Sequence, residues 1–213
     1  EMKYEEDLFI SFSKIRTYME CPKKYRFLHD LKFATISFAD ISFGLTLHRC
    51  LDDINSGYLS DKKKDYNENE LKNMIDRNWV EVAYRKGDTD KLKDNALTII
   101  KKHLSKNKDR FSEIKYAEKP FQVTKDNYII TGVIDLVREK DNKIELIDYK
   151  TREIHDAIYE IQMALYAFSY KSIDGDIPNK LTLHSLATGK EKNIPFDKKK
   201  FDKIEEKINS IVG

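Results

Sequence analysis

Two cysteines in 213 residues, Cys21 and Cys50, are too few for a disulfide scaffold or a four-cysteine metal site. No apolar stretch approaches the ~20 residues that a bilayer span requires. Residues 1–7 are acidic and lack the cationic start and apolar middle of a signal peptide. A reducing cytoplasm is the simplest home for such a chain. Internal repeats and low-complexity linkers are also missing, and a net charge of +2 does not announce a polyanion partner. Residue 1 is Glu rather than Met, which fits a domain cut from a longer protein.

What is present is charge: 36% of residues are charged against 40% hydrophobic, which gives a heavily charged surface around a core of ordinary size. Lys62-Lys63-Lys64, Lys101-Lys102 and Lys198-Lys199-Lys200 either track a phosphate backbone or form solvated faces. Residues 1–213 read as one domain, with 1–110 mainly helical and 111–213 a sheet core. Ser11 or Ser13 caps a helix carrying Ile15, Tyr18 and Met19, which Pro22 interrupts or restarts. A helix is expected from Gly44 to about Gly57, and Phe33 to Phe43 carries no clear pattern. Leu71, Met74, Ile75, Asn78 and Val82 recur at helical spacing, as do Leu92, Ala96, Ile99 and Ile100. Strands are expected at 115–123, 127–138 and 143–150, joined by short polar turns. A helix over 156–171, a hairpin over 181–196 and a last helix through Phe201, Ile204, Ile208 and Ile211 complete an α+β chain.

Within those strands, Asp135 interrupts the apolar run Gly132–Val137, and Asp148-Tyr149-Lys150 ends the run Ile144–Ile147. Alternation along a strand points Asp148 and Lys150 the same way, roughly 7 Å apart. A carboxylate in such a run is costly to bury without a cation or donors. The three residues are either strand-end groups facing water or a metal-dependent site for cutting phosphodiesters. In the second case Mg²⁺ or Mn²⁺, bound by Asp135, Asp148 and the Tyr149 carbonyl, would neutralise charge, with Lys150 beside the water.

Gly132-Val133-Ile134-Asp135 followed by Ile147-Asp148-Tyr149-Lys150-Thr151 resembles the core of the PD-(D/E)XK nucleases. Within them the chain is most similar to the RecB-type branch that also contains the Cas4 proteins. Ser11-Phe12-Ser13 through Cys21-Pro22-Lys23-Lys24-Tyr25 resembles that branch's N-terminal helix and Cys-Pro signature. Gly44-Leu45-Thr46-Leu47-His48 resembles the helix that presents a histidine to the metal, and Gln162-Met163-Ala164-Leu165-Tyr166 its Gln-x-x-x-Tyr motif. These matches run in order from residue 11 to 166.

The resemblance implies a restriction-endonuclease-like fold, a mixed, mostly antiparallel sheet flanked by helices. It also implies a metal-dependent DNA nuclease, with single-stranded ends favoured and 5′-phosphate products. His48 joins the metal ligands, Gln162 holds the strand or Lys150, and Glu118 and Tyr166 give support. Alternatives stay open: His48 as a structural group, Glu118 in a salt bridge with Lys119 or another surface lysine, Tyr166 as core, and Tyr18, Tyr25 and Phe27 as core or base-stacking groups. The branch works in DNA repair, recombination or CRISPR adaptation, often beside a helicase. Many members hold an iron–sulfur cluster, yet no cysteine follows Cys50, so no such cluster is expected from this chain alone: either it is a cluster-free member, the favoured reading, with Cys21 a buried apolar-like residue, or the other ligands lie outside this sequence. A catalytically silent DNA-binding module is the rival reading, and a partner-docking domain with an internal ion-pair cluster is another.

Overall fold

The computed structural model describes residues 8–33, 39–81, 88–125, 128–151 and 158–195, with isolated positions 199 and 206. Apolar alternation produces six strands: β1 Leu8–Ile10, β2 Ile114–Lys125, β3 Tyr128–Lys140, β4 Lys143–Lys150, β5 Lys180–Ser185 and β6 Glu191–Ile194. They form one mixed sheet ordered β1-β3-β4-β5-β6, with β2 also paired to β3. The pairs β2/β3, β3/β4 and β5/β6 are antiparallel, whereas β1/β3 and β4/β5 are parallel. Asp141 and Asn142, with φ of 49° and 57°, make the tight β3–β4 turn.

Among the described residues, six helices flank the sheet: α1 Phe12–Glu20, α2 Pro22–Tyr25, α3 Ala39–Asp61, α4 Glu68–Asn78, α5 Asp88–Asn107 and α6 Ile158–Asp174. Ser11 caps α1 through the Lys14 amide, and Asn67 with Glu70 closes a capping box on α4. On one face of the sheet, Ile15 of α1 and Met163, Leu165, Ala167 and Phe168 of α6 join Ile130, Ile134, Val137 and Leu146. On the other, Leu47, Leu51, Ile54, Leu71, Ile75, Ala96 and Ile100 of α3, α4 and α5 pack on Leu136, Ile147 and Tyr149. This three-layer α+β arrangement is the restriction-endonuclease-like architecture that the resemblance implies.

Several boundaries differ from the sequence reading. Helix α3 begins five residues before Gly44 and runs four past Gly57, because Tyr58 stays buried beyond the polar Asn55-Ser56-Gly57. Strand β1 carries too few residues to show a period. A π-helical turn over Arg26–Asp30 and a 3₁₀ turn over Lys108–Glu113 were likewise not expected. Val82 and the last-helix residues Phe201, Ile204, Ile208 and Ile211 lie outside the described residues. Among the described residues, no helix is long and apolar enough to cross a membrane.

Two departures from regular pairing prepare the site. Ile134 and Val137 are three apart yet share one core, while Leu136 lies in the other, so alternation slips at Asp135. Opposite it on β2, Glu118 has φ of 44°, a left-handed backbone that a non-glycine residue rarely adopts. Nearby, Gly132 pairs with Phe121, whose ring lies over the space where a side chain would stand. A Cβ at Gly132 would come within 2.9 Å of Phe121 Cε1. Gly132→Ala should therefore destabilise the protein by about 1–3 kcal/mol through overpacking. Chemical denaturation will show the loss, and adding Phe121→Leu should recover much of it.

Candidate active site

The site arises where two neighbouring strands part. β3 and β4 pair from Lys140/Lys143 to Leu136/Ile147, and there the ladder ends. β4 continues through Asp148, Tyr149 and Lys150 with only β5 beside it, on the edge where that pairing already runs from Glu145. β1 takes up the same edge of β3 only at Ile130, which leaves 131–135 without a strand partner on that side. Asp135 fills the breach: its Oδ2 accepts a hydrogen bond from the Tyr149 amide at 2.7 Å. The two acids are thereby held side by side, and both are buried.

Asp148 and Lys150 point toward α6, as strand alternation dictates. The Asp148 Oδ2–Lys150 Nζ distance is 2.6 Å, and Lys150 Nζ also donates to Gln162 Oε1 at 2.7 Å. Gln162 Nε2 donates to Asp148 Oδ1 at 2.7 Å, and the Tyr166 hydroxyl donates to the same oxygen at 3.3 Å. One amide thus bridges an acid and a lysine from the neighbouring strand. Tyr159, a turn before Gln162, lays its ring 4.3 Å from the Lys150 ammonium.

The opposite wall comes from α3, whose residues Ile41, Leu45 and His48 line one stripe. His48 Nδ1 lies 3.5 Å from Asp135 Oδ2, and its ring stands edge-on to the Tyr149 ring at 6.3 Å. Phe12 and Arg16 of α1 complete a cleft of about 600 Å³ floored by Asp135, Asp148 and Lys150. Behind the floor, the buried Tyr149 ring meets His103 and His184 edge-on at 5.4 and 5.7 Å. The backbone of Tyr149 belongs to the site and its ring to the helical core.

Negative charge is in excess here. Burial, then Asp135, Asp52 and Asp148, push the Glu118 carboxyl up to about 7. Burial and the Asp148 charge raise Asp135 well above the usual carboxylate range, against the Tyr149 amide and Lys150. Burial also draws His48 below its ordinary value, which keeps the imidazole neutral and able to ligate. Ligand atoms of His48, Glu118 and Asp135 lie within 4.8 Å of one another. Two hard oxygen donors and a neutral nitrogen, short of compensating cations, suit a divalent ion such as Mg²⁺ or Mn²⁺.

All the residues named from the sequence converge: His48, Glu118, Asp135, Asp148, Tyr149, Lys150, Gln162 and Tyr166. Their grouping differs from the expected one. Glu118 stands with His48 and Asp135, while the Asp148 oxygens are engaged by Lys150, Gln162 and Tyr166. Lys119 does not pair with Glu118 but reaches Asp174 at 3.2 Å. Cys21 is only half-buried, and the buried thiol is Cys50, which burial pushes up to about 12. Tyr18 and Phe27 are not core, each being 52% exposed. Lys63 and Lys101 of the charge runs pair with Glu70 and Glu68, as solvated faces do. Sequence reasoning missed Phe12, Arg16, Ile41, Leu45 and Tyr159; the spacings 41-45-48 and 159-162-166 were the available signal.

The family model for the PD-(D/E)XK nuclease superfamily matches residues 10–212. A crystal structure of a candidate exonuclease from Eubacterium rectale is similar at a TM-score of 0.57 and 12% identity, covering 96% of this chain and 80% of that one. A structure titled SSO0001 shares 17% identity over 91% of this chain and 85% of that one, at a TM-score of 0.34, too low to bear on the fold. No curated protein matches the chain.

Glu118 offers a direct check of the charge excess. Its folded-state value near 7 exceeds the ordinary 4.5, so its contribution to stability falls as pH rises from 4.5 through 7. In EDTA at pH 8, Glu118→Gln should raise Tm by roughly 2–4 °C, the shift that about 1 kcal/mol produces at this size. The gain should fall to about a quarter at pH 5, and the stabilisation by Mn²⁺ should shrink in the variant.

Proposed function

Because the chain belongs to the PD-(D/E)XK nuclease superfamily, we propose that it is a divalent-metal-dependent deoxyribonuclease that acts on single-stranded ends and leaves 5′-phosphates. The observation that carries this reading is the convergence of Asp135, Asp148 and Lys150 where β3 and β4 part, with His48 and Glu118 beside them. His48, Glu118, Asp135, Asp148 and the Tyr149 carbonyl are the groups that would hold Mg²⁺ or Mn²⁺. Bound there, the ion supplies charge neutralisation at the phosphate and a more acidic water.

The protein's own groups do the positioning. Gln162 holds Lys150 through Oε1 and Asp148 through Nε2, so ammonium and carboxylate keep a fixed spacing. Lys150 orients the attacking water and places positive charge beside the phosphate as negative charge builds on it. The Tyr159 ring helps hold the Lys150 ammonium in the cleft. Asp135 keeps the Tyr149 amide, and with it the next carbonyl, in register with the site. The apolar lips Phe12, Ile41 and Leu45 suit bases and sugars better than a second phosphate backbone.

Digestion of end-labelled single- and double-stranded DNA with Mg²⁺, Mn²⁺ or EDTA tests the proposal. Cleavage should need the metal, favour the single strand and fall by about 10²-fold or more in Asp148→Asn and in Lys150→Ala. No cleavage, with DNA bound equally by wild type and both variants, would replace this reading with the silent binding module.

A further inference from the structure

The N-terminal segment beyond the cleft has a surface that catalysis does not use. Between Phe12 and Phe33, six basic residues (Lys14, Arg16, Lys23, Lys24, Arg26 and Lys32) face only two acidic ones, Glu20 and Asp30. That stretch carries a net +4, so the remainder of the chain carries −2. Glu20 is already engaged by Arg16 and Lys24. Lys23, Arg26 and Lys32 are exposed in the same segment.

Lys14 donates to the Phe9 carbonyl, and the same segment carries aromatic side chains that the core does not claim, with Arg26 and Lys32 their immediate neighbours in sequence. Phe27 and Phe33 are 52% and 60% exposed and meet edge-on at 5.7 Å. The backbone is shaped to bring them together. The π-helical turn closes with the Leu31 amide on the Arg26 carbonyl, and Lys32 then adopts φ of 53°. The Phe33 amide returns to the Phe27 carbonyl at 3.0 Å. A widened turn and a left-handed lysine therefore position two rings that remain in water. The same segment joins the cleft: Tyr25 of α2 packs edge-on against Tyr18 of α1, and α1 presents Phe12 and Arg16 to the cleft wall.

We propose that the Phe27–Phe33 pair, with the basic residues around it, is a stacking platform for unpaired bases, so that the ligand is a single nucleic-acid strand extending from the cleft. This deepens the nuclease reading and rests on it for the identity of the ligand as nucleic acid. Exposed rings interleaved with cations are the combination that binds single strands: backbone phosphates meet the charges and bases meet the rings. A duplex hides its base faces, so the rings would offer it nothing. A protein partner fits less well, because the centres of protein interfaces are depleted in lysine. The platform also accounts for strand binding by a chain whose total charge is only +2.

Fluorescence anisotropy in EDTA, where cutting is prevented, tests the platform on the full chain. The probes are oligothymidylate longer than the ~16-nucleotide upper footprint of such surfaces and a mixed-sequence duplex. Phe27→Ala/Phe33→Ala should lower single-strand affinity by about tenfold or more, with duplex affinity and Tm unchanged. In a separate Phe33→Trp variant, oligothymidylate should quench the indole emission, the signature of stacking. Manganese-supported cleavage of a thymidine dinucleotide, which reaches only the cleft, should be equal in wild type and the double alanine variant. Unchanged single-strand affinity together with no quenching would overturn the platform, whether or not the protein cuts DNA. Self-association of wild type that the double alanine variant loses, with DNA affinity intact, would overturn it in favour of a contact between copies. Lost affinity and a quenched indole, in a protein that cuts nothing, would uphold the platform and remove the catalytic proposal instead.

Discussion

The hydrogen bond from the Tyr149 amide to the Asp135 carboxylate governs the centre of this molecule. Where β4 runs on past its last β3 partner, the facing edges of both strands are left without a ladder, and an unpaired buried amide is costly. Asp135 repairs the breach with a side chain rather than a strand. In doing so it places a second carboxylate beside Asp148, which low dielectric and like charge both resist. Cleft, charge excess and acid pair all follow from that one parting of strands.

The surrounding elements manage this cost. Lys150, Gln162 and Tyr166 occupy both oxygens of Asp148, while His48 stays neutral beside Asp135. Glu118, on its left-handed backbone, adds a third carboxyl instead of a balancing cation. A sheet selected for stability alone would place an apolar residue at 118 or 135. Local strain and uncompensated charge at one spot are the pattern of a ligand-binding centre. The Tyr149 ring, set between His103 and His184, fastens that centre to the helical layer behind it.

Much of this was legible in the sequence, for reasons that differ from residue to residue. Asp135, Asp148 and Lys150 stood out because charged groups inside apolar strands violate the pattern around them. His48, Gln162 and Tyr166 carried no such signal and were visible through the family resemblance. The long strands and α4, α5 and α6 announced themselves by period. Strand β1 and the π-helical turn did not, since three residues show no period and no residue pattern over Arg26–Asp30 marks a π turn. The closeness of Glu118 to His48 was equally hidden, because it depends on a backbone flip that no residue type prescribes. For Tyr18 and Phe27 the sequence left core and base stacking both open, since helical spacing of aromatics says that a face exists and not what covers it.

The bond across the breach has a consequence for inheritance. Asp135 serves the architecture as well as the proposed chemistry through its side chain, whereas the Lys150 side chain holds no backbone amide in place. A lineage that abandoned cutting could discard the lysine and keep its sheet, but losing the aspartate would leave an amide orphaned at the middle of the fold. Decay of this site would therefore be ordered, with Lys150 the early casualty and Asp135 the last relic.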